Sequence, residues 1–397
     1  MALNEYIQSG GKYLRCGYTT GTCAALASLA AAKLLLLGEA PRSVSVITPK
    51  GIKVEVKPEI CEPAEAGCGC ASAIAGVRKD AGDDRDATDG ILVCARVTVC
   101  EIENAPGDRP VIMIDGGEGV GRVTKPGLDQ PVGCAAINRV PRRMIEEAVG
   151  NVCELADYRG EVSIVISVPG GEEIAKKTFN GHLGIKGGVS ILGTSGIVEP
   201  MSMQAFIDTV CLEIRQARSL DDSGRLILVP GNYGADFLRK MRSGAVFGQM
   251  LPPDIPVVMC SNFIGDALDA ARAEGFREVL LVGHIGKMVK LSGGIMNTHS
   301  GLADCRMELF AAHAAICGAG GDICKKLMQC ATTDACLELL KEEGFVEIVM
   351  GAIMASIERY LVRRTGGEYE TGAVVFSNVY GLLGVTAGGE NLLGRWR

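Results

Sequence analysis

Aromatic side chains are scarce in this chain: they make up 5% of it, with a single tryptophan. Histidines number only four, so few imidazoles are on hand to complete a metal site. Positive charge is in deficit as well. Forty Lys and Arg against 47 Asp and Glu leave a formal charge of −7, which excludes a general nucleic-acid binder with its dominant basic field. Long uncharged apolar runs are missing too. The nearest candidate, Ala24 to Leu37, is short for a bilayer and contains Lys33. A Gly/Thr loop stands where a signal peptide would carry its basic start. These absences predict a soluble, cytoplasmic protein with neither nucleic acid nor membrane as partner.

What is abundant is small and apolar. Hydrophobic residues make up 47% of the 397 positions, and glycines number 53. That length is long for a single core and predicts two domains, or one large domain with insertions. Sixteen cysteines are scattered, many inside apolar runs such as those around Cys94, Cys211 and Cys260. A disulfide scaffold would be short and cysteine-dense, so most of these read as small core residues in a reducing compartment. Neither Cys68-Gly-Cys70 nor the series Cys317, Cys324, Cys330, Cys336 has zinc-pair spacing, and no protein-bound metal is expected.

Residues 1–222 mix strands, glycine-rich turns and two helices, Cys23 to Leu37 and about Arg142 to Leu155. This predicts an α+β domain. "SVSVITPKGIKVEV" reads as a hairpin turning at Pro49-Lys50-Gly51. "RQARSLDDSG" is the expected linker. From 223 to 397 short apolar strands alternate with helices: "RLILVPGNYG", "IPVVMCSN", "EVLLVGHIG" and "GAVVFSNVYG". That pattern predicts a doubly wound, Rossmann-like α/β domain.

Several glycine loops could meet ligands. In "CGYTTGTCAA", Thr22 is placed to cap a helix from Cys23, and the amides of Thr19, Thr20, Gly21 and Thr22 could hold an anion; a capped helix after a tight turn is the equal alternative. "DGGEGVGRVTKPG" carries Asp115 and Arg122 on a second loop, with a wide surface turn as the alternative. The stretch 176–200 adds Lys176, Lys177 and Lys186 among small residues and suits a polyanion or a mobile lid. In the second half ligands should lie at the carboxyl ends of the strands. That edge should carry Pro230, Gly231, Asn232, Gly234, Ser261, Asn262 and Gly283, followed by His284, Lys287, Lys290 and His299. His313 reads as a packed helix residue.

Together these stretches resemble the CbiD family of cobalt-precorrin-5B C1-methyltransferases. The resemblance rests on "GYTTGTCAA", "KDAGDD", "IDGGEGVGRVTKPGL", "VPRRMI", "SVPGGEEIAKKT", "GVSILGTSGIVEPMS", "PGNYG", "SNFIG" and "LLVGHIGKMVKL", in order along essentially the whole chain. It implies S-adenosylmethionine as methyl donor, a cobalt-containing corrin precursor as acceptor, and a Rossmann-like part beside an α+β part. The chain departs from the family pattern at Arg85, Asp89, Cys134, Arg139 and Gly181-His182, so Asp89 and Cys134 are given no catalytic role.

Methyl transfer from a sulfonium needs alignment above all, and positioning contributes about 7–11 kcal/mol. A base near the macrocycle could assist; His284 and His299 are the candidates, with Asp115 in reserve. Arg122, Arg142, Arg143, Lys176, Lys177, Lys186, Lys287 and Lys290 are the candidate cations for the substrate's carboxylates. A cleft between two lobes, bordered by 17–22, 229–234 and 284–299, is the expected site. A nicotinamide-dependent corrinoid oxidoreductase and a non-catalytic corrinoid carrier remain alternatives, as does a homo-oligomer.

Overall fold

Alanine and leucine dominate Thr20–Leu37, and this stretch forms an 18-residue helix. Its residues from Thr20 to Ala32 are buried all round, the signature of a core helix. The helix begins one turn earlier than the sequence suggests. Thr19, not Thr22, is the N-cap, and its hydroxyl accepts the Thr22 amide at 3.2 Å. Gly38, with φ of +78°, ends it and returns its N–H to Leu34. By length and composition the helix could cross a membrane, but 72% of that window is buried inside the protein.

The computed structural model describes residues 3–9, 12–67, 69–100, 110–181, 183–200, 202–247 and 251–396. Cys68 and His182, singled out above, lie outside them. The chain divides into two units of mixed α and β structure, Met1–Ser202 and Met203–Arg397. In the first unit five strands lie in the order Ile60–Ala64, Cys70–Arg78, Leu92–Cys100, Glu161–Ser167, Val111–Gly116. All neighbours run antiparallel except the last pair. The central helix packs on the second and third of these strands and on the helix Arg139–Leu155. Alternation in Glu161–Ser167 buries Val162, Ile164 and Ile166. The expected hairpin forms from Val44–Ile47 and Lys53–Val56, with Gly51 at φ +82°. One cysteine expectation fails: Cys70 and Cys100, directly paired across two strands, form a disulfide.

The second unit holds a sheet in the order Val257–Met259, Arg225–Val229, Glu278–His284, Glu370–Ser377, Gly381–Val385. The first four strands are parallel and the last is antiparallel. Alternate residues feed two cores, Leu226 and Leu228 on one face, Ile227 and Val229 on the other. A sheet covered on both faces needs continuous apolar strands, which is why these segments read as unbroken runs. The helix Met203–Leu220 belongs to this unit. Val210, Ile214 and Ala217 recur at helical spacing and enter its core. The unit boundary, Ser202/Met203, therefore lies one helix before the 222/223 expected, and much of the expected linker is that helix's last turns.

Candidate functional site

In chain order the second sheet runs 2-1-3-4-5, so its connections reverse direction between Arg225–Val229 and Glu278–His284. A crevice opens at the carboxyl edge of such a reversal, because the chains leaving the two strands turn to opposite sides. The sequence-predicted residues of this half meet there. After Val229 the chain turns through Pro230 and Gly231 into the helix Asn232–Arg242. Gly231 has φ of +104°, and a Cβ on it would lie 3.3 Å from Lys287 Nζ. Gly234 and Gly283 have no room for side chains; a Cβ would meet Val229 at 2.3 Å and Met288 at 2.5 Å respectively. Those glycines bring helix and strands close together.

Lys287 sits in the short helix Ile285–Leu291 and donates to the Ser261 carbonyl at 3.2 Å. Burial pushes its ammonium below the usual lysine range. No carboxylate pairs with it among the described residues. His284 caps the same helix, its Nδ1 accepting the Gly286 amide at 3.1 Å. Its ring lies 5.9 Å from Tyr233 and edge-on to Phe376 at 5.6 Å. Burial lowers its pKa, partly countered by Asp334. Asn262 accepts the Thr298 amide and hydroxyl through its carbonyl and side-chain oxygens, tying the 297–300 segment to the edge.

Three residues of this edge were missed. Tyr233, 62% exposed, lies inside the quoted "PGNYG". Ser377 and Asp334 are joined at 2.7 Å where the Glu370–Ser377 strand ends. The signal was present, since "VVFSN" repeats the strand-then-Ser-Asn pattern of "VVMCSN".

Other expectations need correction. Lys290 is 1% exposed, and its ammonium donates to the carbonyls of Thr298 and Ala303 at 3.0 and 2.9 Å. It secures a loop and is not offered to substrate. His299 is exposed, and its Nδ1 accepts the Gly301 amide at 3.1 Å. Neither His284 nor His299 therefore keeps Nδ1 free to take a proton. His313 is buried against Ser292, as a packed residue should be.

The glycine loops of the first unit are packed on each other. Thr19, Thr20 and Thr22 are buried. The Gly21 amide donates to Leu192 O at 3.0 Å, Thr22 Oγ1 to Gly196 O at 2.7 Å, and Thr20 Oγ1 accepts the Leu192 amide at 3.0 Å. These groups serve the chain itself, so the anion-binding role expected of Thr19, Thr20, Gly21 and Thr22 does not fit. The reason is the segment 188–196, which runs as a clasp over the turn. The loop 115–127 behaves alike: a Cβ on Gly119 would stand 1.9 Å from Val168 O.

Asp115 is also engaged. Arg122 grips both its oxygens, at 2.7 and 2.9 Å, and holds its carboxyl below the usual carboxylate range. A carboxylate so paired is a poor reserve base. Arg142 donates to the carbonyls of Ile137 and Ile114, both at 2.9 Å, and fastens its helix to the sheet. Arg143 and Lys176 are exposed in ion pairs with Glu147 at 3.7 Å and Glu173 at 2.6 Å; Lys177 and Lys186 are exposed. An open hollow of about 380 Å³ lies beside Arg139, Arg142 and Arg143. Asp89, a departure from the family pattern, accepts the Ala81 amide at 2.8 Å and shapes a turn.

Comparison with known proteins follows the same two halves. A sequence model of the CbiD family matches residues 7–200, and one of the CbiD C-terminal domain matches 297–387. A protein of Ruminiclostridium cellulolyticum named cobalt-precorrin-5B C(1)-methyltransferase is 46% identical over 377 residues, covering 95% of this chain and 92% of its own. One of the same name from Treponema denticola is 41% identical, covering 96% of this chain and all of its own. A crystal structure of a cobalamin biosynthesis protein (cbiD) from Archaeoglobus fulgidus is 30% identical, covers 76% of this chain and 87% of its own, and superposes with a TM-score of 0.38. The chain belongs to the CbiD family.

Proposed function

We propose that this chain is a cobalt-precorrin-5B C(1)-methyltransferase of cobalamin biosynthesis. It uses S-adenosylmethionine, acts in the cytoplasm on a cobalt-containing corrin precursor, and yields cobalt-precorrin-6A. The carrying observation is identity of 41–46% with relatives of that name over at least 95% of the chain.

The second unit is read as Rossmann-like, with the donor at its carboxyl edge. The residues fit such a molecule. Gly231 leaves a cradle that a side chain would fill, Lys287 is a half-buried cation without an acidic partner among the described residues, and Tyr233 offers an exposed ring for a base to stack on. When bound, S-adenosylmethionine supplies an activated methyl group on a sulfonium. Pro230, Gly231, Asn232 and Gly234 shape the floor, Ser261 and Gly283 flank it, and Asn262 steadies the neighbouring loop. Exposed Arg143, Lys176, Lys177 and Lys186 are offered to substrate carboxylates. The exposed pairs at Arg143 and Lys176 exchange at little cost, because exposed ion pairs contribute only about 0–1 kcal/mol.

The test is direct. The purified chain, given methyl-labelled S-adenosylmethionine and cobalt-precorrin-5B, should transfer label to the corrinoid in step with S-adenosylhomocysteine formation. Unlabelled corrinoid, with the substrate shown intact, overturns the proposal.

A further inference from the structure

We infer that His284 is a hydrogen-bond donor, through Nε2–H, to a carboxylate oxygen of the bound ligand, and not a proton acceptor. The inference rests on reading the carboxyl edge as the binding site. It starts from one contact, the Gly286 amide donating to His284 Nδ1 at 3.1 Å. A backbone amide has a proton to give and none to exchange, so Nδ1 must present its lone pair. The neutral ring then carries its hydrogen on Nε2, which can donate but cannot accept. A second proton would have to enter at Nδ1 and would face the amide hydrogen head-on.

The surroundings hold this state. The helix Ile285–Leu291 fixes the Gly286 amide, and Tyr233 and Phe376 flank the ring from two other elements. Burial lowers the ring's pKa, in keeping with a neutral imidazole. The charged group that acts on it is Asp334, from the helix Thr333–Glu342; Lys287 lies one turn along its own helix. The Asp334 carboxylate accepts the Ser377 hydroxyl at 2.7 Å. No described group bonds Nε2. Carboxylate is the acceptor chemistry because Lys287, one turn along the same helix, lacks an acidic partner among the described residues. Both side chains reach the turn at 231–233. That carboxylate belongs either to the amino-acid end of the methyl donor or to an acetate or propionate of the macrocycle.

Two variants separate the roles of the two nitrogens. His284→Asn keeps an acceptor for the Gly286 amide, since Asn is a good N-cap, but removes the distant donor. His284→Gln carries an N–H near the place of Nε2. In the full chain, nitrogen NMR of labelled histidine should show the neutral Nε2–H tautomer at pH 7. Calorimetry with S-adenosylhomocysteine and the KM for the corrinoid identify the source. His284→Asn should melt near the unaltered protein and lose about tenfold or more in one of the two quantities, as expected for a bond to a charged group. Weaker S-adenosylhomocysteine binding names the donor's carboxylate, and a raised KM names the macrocycle's. His284→Gln should recover part of the loss. An imidazolium or Nδ1–H ring at pH 7, or a His284→Asn protein unchanged in both quantities, overturns the inference. If the unaltered chain transfers no methyl group, the proposed function fails, while the ring's proton position and the calorimetry still decide this point.

Discussion

Two glycine turns each open a helix, one before Thr20–Leu37 and one before Asn232–Arg242, and they do opposite things. The first is buried. Leu192 and Gly196 answer its amide and hydroxyls, and Pro141 stands 2.6 Å from where a Cβ on Gly21 would sit. The second has an exposed tyrosine, a glycine at positive φ and, as neighbour, the tip of a half-buried lysine. Glycine in the first region lets backbone approach backbone; in the second it leaves space. A ligand turn and a packing turn share a sequence pattern, and they differ in what the rest of the chain brings to them.

Substituting the glycines should expose this difference most strongly. Gly119→Ala puts a methyl into a carbonyl and should cost more than about 3 kcal/mol, read as a collapsed urea midpoint or insoluble protein. Gly231→Ala meets only the end of a flexible lysine and should cost about 1–3 kcal/mol from its positive φ, while weakening S-adenosylhomocysteine binding. Equal stability losses would erase the contrast.

Buried charge sharpens it next. Lys79 is 3% exposed and bonds Asp86 at 2.6 Å in the first unit. Lys79→Met should cost about 3–5 kcal/mol, because it strands a partly buried carboxylate. Acid titration gives the sign. Burial raises the Asp86 pKa, but Lys79 and Thr88 outweigh it and the net shift is downward; Arg15 lowers that of Asp80. Both contribute stability above the ordinary carboxyl pKa of about 4, lost as pH falls through their folded values. The Lys79→Met protein should lose stability less steeply below pH 4.

Within the second unit, Lys290→Met should lower stability by about 2–3 kcal/mol and loosen 298–304, since it leaves buried carbonyls unanswered. Lys287→Met should leave melting nearly unchanged and weaken ligand binding about tenfold. A reversed pattern in calorimetry and thermal melts would exchange their roles. The smallest effect belongs to Thr22→Val. Losing its 2.7 Å bond should cost about 1–2 kcal/mol, with ligand affinity unchanged, and a drop in affinity would restore a binding role to that turn.

The helices, the parallel strands and the carboxyl-edge residues of the second unit were legible because continuous apolar runs and strand-end glycines report directly on a doubly covered sheet. Tyr233 was legible but passed over. Lys290 was misread because a lysine's helical position does not say whether it points at water or at carbonyls eight and thirteen residues on.

The sequence alone determined family, element types and the apolar core, since these follow from local periodicity and from motifs in a fixed order. Only the tertiary structure decided which polar groups are already satisfied. Whether an amide, a lysine or an imidazole is available depends on partners as much as 170 or more residues away, as Gly196 is from Thr22. A buried donor takes the first acceptor the fold supplies.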